Sequence, residues 1–405
     1  ANFVGPGYAQ SQVIGFYALV GVLTIIVGFL TILNGKVWKP AKVPAVGLPA
    51  LVILSVLLFG VVPGLIQKWR VDSNLYKFEP PFAERAINMT RYAYGIDKFS
   101  VEDFDVKTEP TEAEVRAAQN TLEGMRLWDP NVLRTFLNER QTIRSFYSFY
   151  DVDIDRYEID GKQRMVMLSP RDLSSAGLQP DKQVWANLHM QFTHGFGLTV
   201  SPVNNAVGSG EPEFWISNFP PDQGDVFDIP NQRTYFSHYP PGSREYGSYL
   251  LLDGQLDEID YPGGAEGDFW ESDRGVPVGG WLAKFAYSTL LSELKFWTSE
   301  DVTKDTKLIY HRDIIDRASL VYPMLEFDAD PYIVVLDGKI HWIMDAYTTS
   351  DRIPYSQYQG LNGRAINYIR NSVKIVLDAG TGEMTAYAIE KDEPILRSIM
   401  SIFPD

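Results

Sequence analysis

Val46 to Ile66 reads VGLPALVILSVLLFGVVPGLI, 21 residues without a charged side chain. At about 1.5 Å of rise per residue, a helix of that length spans roughly 31 Å, the hydrocarbon thickness of a bilayer. At Gln67-Lys68-Trp69-Arg70 the composition changes, and it stays changed to the end of the chain. Upstream, Val13 to Leu33 (VIGFYALVGVLTIIVGFLTIL) is a second uncharged stretch of the same length. Two spans joined by Asn34 to Ala45 read as a transmembrane hairpin, because backbone cannot stay unpaired in lipid and a helix pairs it locally. The alternative is a pair of buried core helices, but soluble helices this long ordinarily keep a polar face.

Charge sets the expected orientation. The loop at 34–45 carries Lys36, Lys39 and Lys42 and no acid, so the positive-inside rule places it in the cytoplasm and residues 67–405 outside it. Lys68 and Arg70 reduce this asymmetry. No acid precedes Asp72, and with three of the 36 basic residues in the first 67 positions, the remainder holds 33 bases against all 52 acids, a net charge of −19. Nucleic-acid phosphates repel such a domain, so nucleic acid is not an expected partner. The absence of cysteine excludes disulfides, thiolate catalysis and Cys-based metal sites. Ala1-Asn2-Phe3-Val4-Gly5 carries no Met, basic n-region or cleavage site, so no signal peptide is read there. The chain is expected to be a fragment of a longer protein.

Residues 68–150 read as a mainly helical collar near the membrane. Pro80-Pro81 opens a helix that Gly95 stops, Thr111 to Glu114 matches a capping box, and Asp129-Pro130 is an N-cap followed by proline at the first helical position. From Asp151 the pattern turns to strands. Asp160-Gly161 and Asp337-Gly338 are hairpin signals, because both turn residues must tolerate positive φ, and Gly380-Thr381-Gly382 marks a third hairpin. Residues 201–277, rich in Pro, Gly and Asp, read as long loops over short strands. Two helices interrupt the strands, an amphipathic one through Trp281, Leu282, Phe285, Leu290, Leu294 and Trp297, and a shorter one from Ile314 to Val321. The expected fold class is therefore an α+β ectodomain of antiparallel hairpins and several helices after a two-helix transmembrane hairpin. Its divisions are 1–67 (spans 13–33 and 46–66), 68–150 and 151–405.

Chemistry is sparse. The chain has no nucleophile elbow, phosphate-binding P-loop, dinucleotide fingerprint or H-E-x-x-H pair. His189 and His194 lie five apart, which puts them on different faces of a helix or a strand, and Gly195 and Gly197 imply a close backbone approach or a bend. Structural roles are expected for both histidines. Asp151-Val152-Asp153-Ile154-Asp155 begins like a calcium loop, but Arg156 and Lys162 stand where such a loop needs glycine and a bidentate glutamate. An exposed strand edge kept soluble by charge is the expectation there. Asp257, Asp260, Glu266 and Asp268, with Glu258 among glycines, are candidate ligands for calcium, against a merely solvated acidic loop. Asp345, Tyr347, Asp351 and Arg352, together with His194, are the candidate lining of a ligand pocket, against a local turn network.

Several segments carry a resemblance, among them Thr90 to Gly95, Leu127 to Pro130, Thr193-His194-Gly195-Phe196-Gly197, Asp328 to Tyr332, Asp345 to Tyr355 and Ile366 to Lys374. In this order they resemble the large bacterial integral membrane proteins grouped as uncharacterised protein family 0182, over nearly the whole chain. The resemblance implies about seven transmembrane helices followed by a large extracytoplasmic domain, with the two spans here as the last of the bundle in a bacterial cell membrane. It carries no activity and no catalytic residue. The reading expected is a non-enzymatic envelope or membrane-complex subunit, with the lipid bilayer, further transmembrane helices and a homo-oligomer or larger complex as partners. Two alternatives stand beside it: an enzyme or transport accessory acting on an envelope lipid or glycan, and a calcium-stabilised adhesion module.

Overall fold

A computed structural model of the chain describes residues 5–37, 42–104, 106, 108–222, 226–261 and 263–404. Lys39, and the side chains of Lys36 and Lys42 in the expected cytoplasmic loop, lie outside the described residues. The chain divides into two compact units, one of Ala1–Glu102 with Thr349–Arg370, the other of Asp103–Thr348 with Asn371–Asp405.

The first unit holds two long apolar helices, Tyr8–Leu33 and Pro44–Phe78, each long and apolar enough to cross a membrane by length and composition. They run antiparallel as a close pair: Tyr17 stacks on Phe59 at 4.0 Å between ring centroids, and a Cβ added at Gly47 would stand 2.9 Å from Val27 Cγ1. A small residue at that point lets the two backbones approach. The second helix continues past Ile66, where the apolar composition ends, through Gln67–Val71 and on to Phe78. Leu57–Val61 is a wide π-type turn just ahead of Pro63. Proline offers no amide and crowds the carbonyl four residues back, and widening the preceding turn makes room for it without ending the helix.

Pro80–Ala93 forms a third helix in this unit, stopped at Gly95 with φ +70°. The guanidinium of Arg370 donates to the last carbonyls of that helix, to Ala93 O at 2.6 Å and to Tyr92 O. A cation there satisfies free acceptors at the negative end of the helix dipole.

The second unit is mixed helix and antiparallel sheet, as its sequence pattern implies. Asp153–Ile159 pairs with Lys162–Pro170 through a turn in which Asp160 and Gly161 both take positive φ, and Leu198–Pro202 completes three strands. The Asp337-Gly338 turn joins Tyr332–Leu336 to Lys339–Ser350, within a five-stranded sheet that also contains Glu326–Phe327, Tyr368–Asp378 and Met384–Ala388. Ile340, Trp342, Met344 and Ala346 alternate inward along one strand and meet Leu168, Val200, Ile314 and Ile375 in the main core. The expected N-caps are present: Thr111 forms a full capping box with Glu114 and Asp129 accepts from Asn131 N; a further one appears at Asp313, which accepts from Ile315 N and Asp316 N.

Candidate functional site

The stretch 201–277 does run as short strands in long loops, yet it supplies much of the interior of the second unit. Arg233–Thr234 pairs antiparallel with Gly195–Phe196, which sets Arg233 and Tyr235 beside His194. Glu258 and Asp260 are two residues apart on an extended segment, so they share a face. The two i, i+2 pairs converge on one histidine.

His194 is about 1% exposed. Its Nε2 lies 3.0 Å from Asp260 Oδ1, and its Nδ1 lies 2.8 Å from Thr193 Oγ1 and 3.4 Å from Glu258 Oε2. The Thr193 hydroxyl donates to Glu258, so Nδ1 is left to donate, and both ring nitrogens carry protons. Burial opposes that charge, but the hydrogen bonds that the ring donates to Asp260 and Glu258 outweigh it and raise the histidine's pKa above its ordinary value. The carboxylates respond in kind: burial pushes both upward, while His194 beside Glu258, and His194 with Arg233 beside Asp260, hold both below the usual carboxylate range.

Every acceptor in the cluster is used. Arg233 binds Asp260 through two parallel bonds, Nε to Oδ1 at 2.7 Å and Nη2 to Oδ2 at 2.9 Å, with its guanidinium 3.7 Å from the centre of the Phe269 ring. Glu258 also accepts from Tyr235 OH at 2.9 Å and from Phe269 N at 3.2 Å. Two cations and two carboxylates thus sum to zero, with only Arg233 partly exposed at the margin, the arrangement in which buried charge is tolerated. Arg312, also buried, donates to Tyr235 O, Thr193 O, Tyr239 OH and Ser248 Oγ and so holds the backbones that present the cluster. Beyond Arg233 and Tyr235 a cavity of about 100 Å³ is lined by Phe269, Trp270, Lys339 and Asp378, room for a few waters.

The glycines after His194 act as close approaches. A Cβ on Gly195 would lie 2.6 Å from Arg171 O, and one on Gly197, where φ is +93°, would lie 2.5 Å from Pro221 Cγ and 2.7 Å from Arg171 Nη1. Arg171 itself is buried between the rings of Phe149 and Phe219, and burial lowers its pKa to about 10. His189 is separate: its Nδ1 meets Tyr249 O at 2.7 Å, its ring stacks on Tyr249, and burial lowers its pKa to about 4.

The other candidate residues fall into different sets. Asp345 and Tyr347 share one face of a strand, Asp345 bound to Lys374 Nζ at 2.5 Å and Tyr347 OH donating to Asp328 at 2.6 Å. Asp351 and Arg352 belong to the first unit, where they are exposed and 3.6 Å apart. Of the acidic loop, Asp257, Glu266 and Asp268 are exposed, while Asp260 turns inward to His194 and Arg233. Among the described residues no group of three or more His, Cys, Asp or Glu is placed to hold a metal ion. The expected exposed edge at Asp151–Asp155 is corrected at Asp153. This residue is buried and accepts from Ile333 N at 3.0 Å, and burial pushes it up to about 8. Asp172 is buried with Oδ1 unpartnered, and burial pushes it up to about 7.

Arg233, Tyr235 and Arg312 are the members that residue patterns did not single out. Arg233 sits in a two-residue strand and Tyr235 and Arg312 in irregular chain, each far from its partners in sequence, and Glu258 and Asp260 showed only as acids in a loop. The i, i+2 spacing of Glu258 and Asp260 was the one available signal.

Comparison with known proteins bears on the whole chain. The family model described as "Uncharacterised protein family (UPF0182)" matches residues 1–405. Among relatives, a UPF0182 protein of Pelotomaculum thermopropionicum is 34% identical over 99% of this chain and 43% of its own length. One of Methanospirillum hungatei is 33% identical over 99% and 44%, and one of Clostridium acetobutylicum is 35% identical over 99% and 43%. The chain therefore spans less than half the length of these relatives. No solved structure matches it. By the match across its full length and by these relatives, the chain belongs to the uncharacterised protein family UPF0182.

Proposed function

We propose that this chain is the membrane-anchored part of a non-enzymatic envelope protein, whose second unit acts through its surface in assembly or interaction. The observation that carries this reading is the state of His194. That histidine is sealed from solvent, protonated on both nitrogens and engaged by two carboxylates, themselves saturated by Arg233, Tyr235 and backbone. A general base needs a free lone pair within reach of a substrate, and this arrangement supplies a rigid interior instead. The two apolar helices supply the anchor. The lysine-bearing, acid-free loop at 34–45 supports a cytoplasmic hairpin turn, with residues 67–405 outside.

The chain contains no cysteine, so one introduced cysteine is a unique reporter. In intact cells, Asp181→Cys should react with a membrane-impermeant maleimide; labelling only after lysis would reverse the orientation. Native mass of the full chain in mild detergent should exceed that of one copy or show a co-purifying partner. A monodisperse monomer without partners would remove the assembly reading.

A further inference from the structure

The helix pair Trp281–Leu290 and Leu294–Thr298 is apolar on two sides. One side is held by the domain: Phe296 is fully buried among Met190, Tyr249, Val278 and Leu308, with Tyr287 and Leu291 packed against that cluster. The other side presents Trp281, Leu282, Phe285, Leu290 and Leu294, all between 59 and 71% exposed, with Trp297 at 37% set edge-on to Phe285. A helix apolar around most of its circumference needs two apolar neighbours, and the core is only one of them.

We propose that this outer face docks into the interfacial layer of the lipid bilayer, lying in its plane rather than crossing it. This deepens the anchored reading above and rests on it. Three observations select lipid as the occupant. First, the same chain carries two bilayer-length apolar helices, which keep the face within tether range of a membrane and raise its effective concentration there. Second, the face is Trp and Phe with Leu, bounded by Trp281 at one end and Trp297 at the other; such amphipathic rings settle at headgroup depth. Third, the two helices themselves carry Lys284 and Lys295 and no acid, unlike the acidic chain around them. Between Gly279 and Ser299 stand Lys284, Lys295 and one acid, Glu293, whose carboxylate is committed to Lys295 N at the helix start. Lys295 is exposed, and a cation beside an apolar face suits anionic headgroups.

The test uses the full chain in vesicles of phosphatidylcholine and phosphatidylglycerol, with an environment-sensitive dye on Phe285→Cys and, as a control, on Lys162→Cys at an exposed hairpin turn. Nitroxide-labelled lipid should quench the dye at position 285 several-fold more than at 162, iodide should do the reverse, and Lys295→Glu should weaken the lipid quenching. Equal iodide access at both sites overturns the proposal. So does shielding of position 285 from both quenchers, or energy transfer between labelled copies that rises with protein density, since a protein surface would then be the occupant. A chain that fails to float with the vesicles removes the anchored reading itself, whereas one that floats with position 285 open to iodide removes only the docking.

Discussion

Within the second unit, the cluster around His194 and the face of Trp281–Thr298 invert the usual partition of residues. One puts three formal charges where water is excluded and a fourth, on Arg233, at the margin; the other leaves six large apolar side chains in contact with water. The charged interior is stable because each charge has an opposite partner and each acceptor a donor, so its energy resides in the completeness of the set. The apolar exterior is stable for a different reason, since its burial would add nothing to the packing of Phe296 and Tyr287 that already holds the helix pair. Completeness can be broken by one atom, whereas an exposed face can be altered without consequence for folding. The comparison therefore predicts large effects inside and small ones outside.

The largest effect should come from Asp260→Ala. It strips Arg233 of its bidentate partner and His194 of the acceptor on Nε2, leaving the buried imidazolium and the half-buried guanidinium with one carboxylate. Loss of about 3–5 kcal/mol is expected from an uncompensated buried charge, read by chemical unfolding of the detergent-solubilised chain. The pH dependence has a defined sign. His194, raised above its ordinary value, contributes stability that is whole below about 6.5 and is lost as pH climbs through its folded pKa. Glu258 and Asp260, depressed, contribute stability present above about 4.5 that is lost as pH falls through theirs. The intact cluster is thus strongest between those limits, and Asp260→Ala should flatten both flanks. Unchanged stability in this variant would break the contrast at its stronger end.

A buried carboxylate without a cationic partner should behave in the opposite way. Asp153 keeps one bond, from Ile333 N, and its protonated form is the favoured one in the fold. A carboxyl raised to about 8 stabilises the fold at low pH, and that contribution is lost as pH rises from its ordinary value near 4 toward 8. Asp153→Asn retains an acceptor for Ile333 N and cannot ionise. It should gain on the order of 1–3 kcal/mol at pH 8 and nothing at pH 4, measured as the shift in urea midpoint at the two pH values. A loss at pH 8 would mean that the carboxylate has a partner that stabilises its charged form.

How far these two regions could be read in advance differs for physical reasons. The spans, the hairpins at Asp160-Gly161 and Asp337-Gly338 and the caps at Thr111 and Asp129 were legible because each depends on residues within a few positions of one another. The ring of partners around His194 was not, since Arg233 and Glu258 reach it from loops 39 and 64 residues away, and local pattern carries no information about such closure. Gly195 and Gly197 were read as a close approach or bend and are one, pressed against Arg171 and Pro221. The stripe through Trp281 and Phe285 was visible as a period but not as a direction. Periodicity states that a face is apolar, and only the opposite side, through Tyr287, Ser288 and Phe296, shows which one the core took.

That reversal supports the smallest predicted effect. Leu282→Ser on the outer face removes an apolar side chain that is 62% exposed, while the inward anchors and the backbone of the helix stay in place. Stability of the detergent-solubilised chain should change by no more than about 0.5 kcal/mol, against the several expected for Asp260→Ala. The same substitution in a soluble core helix would cost far more, because there the stripe is what holds the helix to its domain. A loss of two or more kcal/mol would place Leu282 against protein and return the outer face to the folding of the unit. A loss within the small bound assigns the face a task that folding does not require, which is the condition any docking surface on this helix pair must meet.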